Sequence, residues 1–244
     1  MPFQFDRIEQ RSLYTEIMQR IRHAIVFGEV GLGEYLSKPS IARQMEVSRI
    51  PLREALVHLT KVGIVDHIQS RGFFVISFSP QDIREVFSMR SMLECMALAR
   101  SFPFLVAEDF NQLECLVEQQ KKAIVTFQYD LLTQLDMRFH EYFYTKANQE
   151  RLLKTWRNYE MQCQMLINHR FRTYSIGTPG TVIADHEQLL EAAHQQDISL
   201  AIEITRSINN RVAEECIQMA QERSSKGGEL FIKISKLRRI SLLV

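Results

Sequence analysis

From Asp82 to about Ser225 the chain carries helical periodicity with a single break, and this run limits the possible folds more than any other feature. The pattern predicts helices at about 80–101, 106–125, 128–147, 149–174, 181–196 and 198–225. Only Ser-Ile-Gly-Thr-Pro-Gly at 175–180 reads as an internal loop. Amphipathic helices linked this closely bury their apolar stripes against one another, so an all-helical antiparallel bundle follows. Nine glycines and six prolines in 244 residues also argue against a fold of many short strands.

Ahead of Ser79-Pro80 the pattern changes. A first helix is predicted from about Ser12 to Phe27, with Leu13, Ile17, Ile21 and Ile25 on one face and Arg20 and Arg22 off it. Gly28, Gly31 and Gly33 end it. A short helix follows at about Lys38 to Met45, with Ser37 as N-cap and Pro39 in the first turn, where a missing N–H costs nothing. A third runs from about Arg49 to Val62, capped by Ser48 and stopped by Gly63. Its inward stripe is Leu52, Ala55, Leu56 and Leu59. Two β-rich runs, Ile64–Gln69 and Phe73–Phe78, flank Ser70-Arg71-Gly72, a hairpin signal. The expected architecture is mainly α: a winged helix-turn-helix over 1–78, an all-helical domain over 79–226, and a tail over 227–244. The tail alternates apolar and basic residues, and a dimer arm, a docked strand and a loose end are equal readings of it.

Composition removes several classes. With 45% hydrophobic and 24% charged residues, the chain is neither disordered nor collagen-like. No stretch approaches the roughly 18 uncharged apolar residues of a membrane helix, so no membrane partner is expected. Met1–Glu9 has two acids and no apolar segment, which predicts no secretory signal. Cys95, Cys115, Cys163 and Cys216 form no CxxC pair and lie in apolar helical surroundings, as expected of reduced, buried thiols in a cytoplasmic protein. Net charge is only +1, but residues 1–79 hold ten basic and eight acidic side chains, whereas 80–228 hold sixteen and twenty. A mildly basic head on an acidic body suggests a different partner for each.

The third helix points to DNA. Its stripe faces inward, so Arg49 and Arg53, one turn apart, project together from the other side. Two guanidiniums near the start of a helix suit bidentate contacts to guanine O6 and N7 in the major groove. Ser48 can reach a phosphate that the helix N-terminus also favours. Arg71, with Gly72 at the hairpin tip, can enter a minor groove or grip a phosphate. The plainer reading is a solvated face with Glu46 or Glu54 as ion-pair partners. The order of helices, turn and hairpin favours DNA.

These residues carry a resemblance. Leu13-Tyr14, then Val47-Ser48-Arg49-Ile50-Pro51-Leu52-Arg53-Glu54-Ala55-Leu56, Gly63-Ile64-Val65 and Arg71-Gly72-Phe73-Phe74-Val75, resemble the GntR superfamily of bacterial transcription regulators. The helical remainder resembles its FadR branch, with an FCD ligand-binding domain, and the likeness spans residues 10 to 225. It implies effector binding and dimerisation by the 79–226 domain, and a dimeric regulator, commonly a repressor, on a near-palindromic double-stranded DNA operator. One departure lies in the second helix, where that family commonly has acidic residues and this chain has Lys38 and Ser40. Lys38 thereby joins the candidate phosphate contacts.

In the body, Leu132, Asp136, Phe139, His140 and Phe143 share one helical face, and His186 shares another with Ile183, Leu190 and Ala193. An Asp and a His at i and i+4 can ligate one ion, and His186 can join them across a bundle core. The bland alternative is a satisfied core network. The resemblance implies that Asp136, His140 and His186 match three of four FCD metal positions, while the fourth falls on Ile208, which cannot bind a metal. Asn209 and Asn210 lie one and two residues further on, turned about 100–200° around the helix. Three readings stay open: a three-ligand zinc or nickel site completed by water or an effector oxygen, a metal-free polar site for an organic ligand, or a vestige in a filled core. Arg90 either clamps a carboxylate effector, as the resemblance implies, or pairs with Glu94. His169, Arg170 and Arg172 read as cations complementing a helix end, and His194 reads as exposed.

The leading function is therefore a ligand-responsive DNA-binding regulator. A DNA-binding dimer without a sensor is the second candidate. A metal-dependent hydrolase on the same trio is the third, and it lacks a general base, a nucleophile elbow and a phosphate-binding loop.

Overall fold

The computed structural model describes residues 11–173 and 178–227. They form two compact units that divide between Ser77 and Phe78. The first holds α1 (Arg11–Val26), β1 (Tyr35–Leu36), α2 (Lys38–Gln44), α3 (Arg49–Lys61), β2 (Val65–Ile68) and β3 (Gly72–Val75). Helix α1 packs on α3, and Ile17, Ile21 and Ile25 are buried with Leu52, Ala55, Leu56 and Leu59. Each such leucine or isoleucine contributes about 1.5–3 kcal/mol by leaving water.

The strands form an antiparallel sheet of order β1-β3-β2, with Val65 opposite Val75 and Ile68 opposite Gly72. Sequence pattern predicts the β2–β3 hairpin but not β1, whose two residues pair Leu36 with Phe73. Gly72 has φ +104°, and a Cβ there would lie 2.9 Å from Tyr35 Cε2. Gly72 is thus required by its own backbone, and a Cβ would also push the exposed Tyr35 ring aside. Gly72→Ala is expected to destabilise this unit by about 1–2 kcal/mol, read as a lowered urea midpoint; an unchanged midpoint would contradict the assigned turn.

Three local expectations need correction. Leu13 is exposed, because the first-turn residue of α1 that faces α3 is Tyr14, with its ring edge-on to His58. Ser37 and Ser48 occupy N-cap positions with extended backbone, but neither hydroxyl makes the capping hydrogen bond. Cys115 is exposed, because α5 turns Leu113, Val117 and Gln120 inward and Cys115 falls on the opposite face; only Cys163 and Cys216 are buried.

The second unit comprises α4 (Pro80–Ser101), a short 3-10 turn (Phe102–Phe104), α5 (Ala107–Val125), α6 (Tyr129–Lys146), α7 (Glu150–Thr173), α8 (Thr178–His194) and α9 (Ile198–Gly227). A capping box opens α4: Asp82 N–H donates to Ser79 Oγ at 3.2 Å, and Ser79 N–H to Asp82 Oδ2 at 2.8 Å. Helix α4 packs on α6, α7 and α9, while α8 packs on α5 and α9. Phe87, Phe102, Phe139, Trp156 and Phe171 fill the core. The expected loop at 175–180 is shorter, since Thr178–Gly180 belong to the first turn of α8, where Pro179 is tolerated. The rest of that loop and the tail after Gly227 lie outside the described residues. Among the described residues no helix is long and apolar enough to cross a membrane.

Candidate functional site

In the first unit, burial of the Leu52 stripe leaves Arg49 and Arg53 exposed on the opposite face of α3. Among the described residues neither forms an ion pair, with Glu46, Glu54 or any other acid, so their N–H donors stay available. With Ile50, Val57, Lys61 and Tyr14 they line an open concavity. Ile50 is 71% exposed, a methyl-bearing surface beside two guanidiniums that the sequence reading missed. Ser48 is exposed at the same helix end. Arg71 is exposed at the hairpin turn, its guanidinium 6.0 Å from the Phe74 ring centroid. Lys38 is half-buried, with Nζ 5.5 Å from the Phe73 ring centroid. Its ammonium is attracted to that ring face.

In the second unit, α6 and α8 bring Asp136, His140 and His186 together, all buried. His186 Nε2 lies 3.2 Å from His140 Nε2 and 3.5 Å from Asp136 Oδ1, and His140 Nε2 lies 4.0 Å from the same oxygen. Ligand atoms around a four-coordinate ion at 2.0–2.1 Å stand roughly 3.4 Å apart, so the three separations suit one ion.

The outward nitrogens are also held. His140 Nδ1 faces Glu94 Oε1 at 3.2 Å, and His186 Nδ1 faces Gln120 Oε1 at 2.7 Å. The Glu94 oxygen accepts, and so does Gln120 with its amide oxygen on this side, an arrangement that puts the proton on both Nδ1 atoms and turns both Nε2 lone pairs inward. Two lone pairs and a carboxylate oxygen then converge on one space with no donor between them, a set that a cation satisfies. Burial, aided by Arg90, holds both imidazoles well below their ordinary pKa, so neither supplies a bridging proton near neutrality. Burial pushes Asp136 up to about 6, with Arg90 opposing and Glu94 adding to the rise.

Glu94 is the hub behind the trio. It accepts from Arg90 Nε at 2.7 Å and from Asn209 Nδ2 at 2.8 Å, besides facing His140. Of the two alternatives offered for Arg90, the structure shows the pair with Glu94. Arg90 also lines the cavity, with Nη2 3.9 Å from Asp136 Oδ2. Burial works against its charge, but Glu94 and Asp136 outweigh that and hold the guanidinium firmly protonated. Ile208 stands in the cavity wall beside Val212 and offers no ligand atom. Asn209 reaches Glu94, behind the trio, and is no substitute for the missing ligand.

The cavity is about 20 Å³, room for an ion or a water. Its polar lining is Arg90, Asp136, His140, Arg170, Asp185 and His186. Arg170 is a correction: it is 1% exposed and pairs with Glu215, so it is no solvated cation at a helix end. Its place follows from its stripe, since Cys163, Leu166 and Ile167 precede it on the buried face of α7. Arg172 does lie outside, 2.8 Å from Asp130, and His194 is exposed, stacked on Phe110. The sequence reading misses Gln120 and Asp185 as site residues; it names Glu94 only as a partner of Arg90, Asn209 only as a poorly placed ligand substitute, and Arg170 as a helix-end cation although its periodicity places it inside.

Two family models match the chain: the FCD domain over residues 85–211, and bacterial regulatory proteins of the gntR family over residues 13–75. The chain is 26% identical over 227 residues to the gluconate operon transcriptional repressor of Bacillus subtilis (strain 168), covering 91% of this chain and 93% of that protein. It is 24% identical over 210 residues to the HTH-type transcriptional repressor RspR of Escherichia coli (strain K12), covering 86% and 91%. Among solved structures, Escherichia coli McbR/YncC superposes with TM-score 0.70 at 20% identity, covering 87% of this chain and 98% of that one. A GntR regulator from Rhodococcus sp. RHA1 gives 0.73 at 20% identity, covering 85% and 98%. At such identities the two structures share the fold.

Proposed function

The chain belongs to the GntR family of bacterial transcription regulators and carries that family's FCD domain, and from this premise we propose a ligand-responsive repressor that binds a near-palindromic operator as a homodimer. Its family and relatives are regulators of transcription, not enzymes. Arg49 and Arg53 read bases in the major groove, Ser48 and Lys38 meet phosphates, and Arg71, placed by Gly72, contacts the backbone or an adjacent minor groove. The repressor sign follows the two relatives named as repressors. An effector bound in the helical unit shifts the population between DNA-competent and DNA-incompetent dimers.

The observation that carries the sensor reading is the convergence of Asp136 Oδ1, His140 Nε2 and His186 Nε2 on one buried space. These three would hold zinc or nickel, and the ion would supply a Lewis-acidic position for an effector carboxylate. Ile208 leaves the family's fourth position without a donor, so affinity is expected to fall below that of a four-ligand site. The test is metal content per subunit, measured on protein purified without chelator or nickel resin, with His186→Ala as control. Near one ion per subunit, lost in the variant, is the expected result. No ion in either sample would remove the metal from the reading.

One observation favours a second reading. If the Gln120 amide is turned over, it donates to His186 Nδ1, and a neutral His186 then donates to His140, completing a network with no ion. In that case the site takes an organic ligand without metal, or the body only dimerises.

A further inference from the structure

Arg170 is the unexplained group of the cavity. It is almost wholly buried and lines the cavity, yet among the described residues its Nη2 has no hydrogen-bond partner. Its Nε is held by Glu215, a carboxylate from α9 that is 28% exposed. Glu215 also lies 3.7 Å from Arg211 Nη1, and Arg211 holds Asp185 and, at 3.1 Å, Thr181 Oγ1 on α8. A buried arginine with one free fork arm and one half-exposed carboxylate on it is an anion site already occupied by a side chain able to swing out to water.

We propose that Arg170 is the second anchor of the effector, and that the effector is a compact dicarboxylate whose one carboxylate replaces Glu215 on Arg170 while the other lies toward the Asp136–His140–His186 end. The charge requirement rests on the divalent ion argued above. With Glu215 displaced, that ion, Arg90 and Arg170 face Glu94 and Asp136, while Asp185 is balanced by its pair with Arg211, which leaves the buried charge two units positive. A dianion balances it, whereas a monocarboxylate leaves half of it uncompensated. Size leads to the same exchange. A cavity of about 20 Å³ admits no dicarboxylate as it stands, so entry requires its rim to open. Glu215 stands outside that lining but holds Arg170, which is part of it, so its departure frees Arg170 to turn and also removes one partner from Arg211, which ties α8 to α9. Binding is thereby linked to the seating of the helix that carries His186.

The test is calorimetric titration of zinc-loaded full-length protein with acetate, oxalate, malonate and succinate, alongside the zinc content of every sample. Wild type is expected to bind at least one dicarboxylate about tenfold or more tighter than acetate. Arg170→Gln is expected to erase that preference while keeping acetate binding and zinc. Glu215→Gln, which removes the internal competitor and leaves Arg170 in place, is expected to tighten dicarboxylate binding severalfold, and it decides the matter if Arg170→Gln does not fold. Absence of dicarboxylate preference in wild type, the same preference in Arg170→Gln, or weaker binding in Glu215→Gln overturns the proposal while the zinc content leaves the metal reading standing. Protein that cannot be loaded with zinc overturns the metal reading and, with it, the charge argument for a dianion.

Discussion

Replacing Arg49 or Arg53 by alanine is expected to weaken specific operator binding by about 1–3 kcal/mol each, roughly ten- to a hundredfold in Kd, and to relax base preference at the contacted positions. The magnitude rests on their geometry. Both side chains are exposed on α3, opposite a stripe whose Leu52, Ala55 and Leu56 are fully buried, so truncation removes DNA contacts without opening the core. Neither has an ion-pair partner among the described residues, so no liberated acid complicates the result. The pair sit one turn apart, and their combined loss is expected to deviate from additivity if they share a base step. The measurement is anisotropy titration on an operator selected from random DNA, with scrambled DNA as control. Arg71→Ala should instead weaken both DNAs alike and lower the salt slope by about one. Wild-type affinity in both α3 variants would remove α3 as the reading helix.

What the sequence made legible follows from the range of each interaction. Helix periodicity is local, so all six body helices and the inward faces of Asp136, His140 and His186 could be read from i, i+3 and i+4 spacing. The hairpin was legible because Ser70-Arg71-Gly72 carries its own turn chemistry, with Ser70 at φ +63°. Strand β1 was not, since two residues hold no alternation and exist as a strand only by pairing with β3. The partners of the trio were hidden for the same reason. Glu94, Gln120 and Asn209 come from α4, α5 and α9, and no pattern within one helix says which polar residue of another will meet it. Arg170 illustrates a conflict between two local rules. Its position near the end of α7 suggested a dipole complement, while its stripe placed it inside, and packing on α9 decided for the stripe.

Glu94→Ala is expected to show the largest loss of stability, about 3–5 kcal/mol, the usual cost of removing one partner of a buried ion pair. Glu94 is 3% exposed and receives Arg90, Asn209 and His140 at once. Truncation strands a buried guanidinium that Asp136, 3.9 Å away, compensates only in part. It also frees the Nδ1 proton of His140, so Nε2 is no longer fixed as the inward lone pair, and metal affinity should fall about 10–100-fold. The expected signature is a drop in Tm of roughly 10 °C together with weakened metal binding, while the isolated operator-reading unit keeps its own core of Leu52, Leu56 and Ile21. Replacing Arg90 and Glu94 together by apolar residues of similar volume should cost much less than Glu94→Ala alone, because no charge is then left unpaired. Equal losses in the single and double variants would mean that packing volume, and not the ion pair, sets the role of Glu94. Differential calorimetry of both variants beside wild type distinguishes the two.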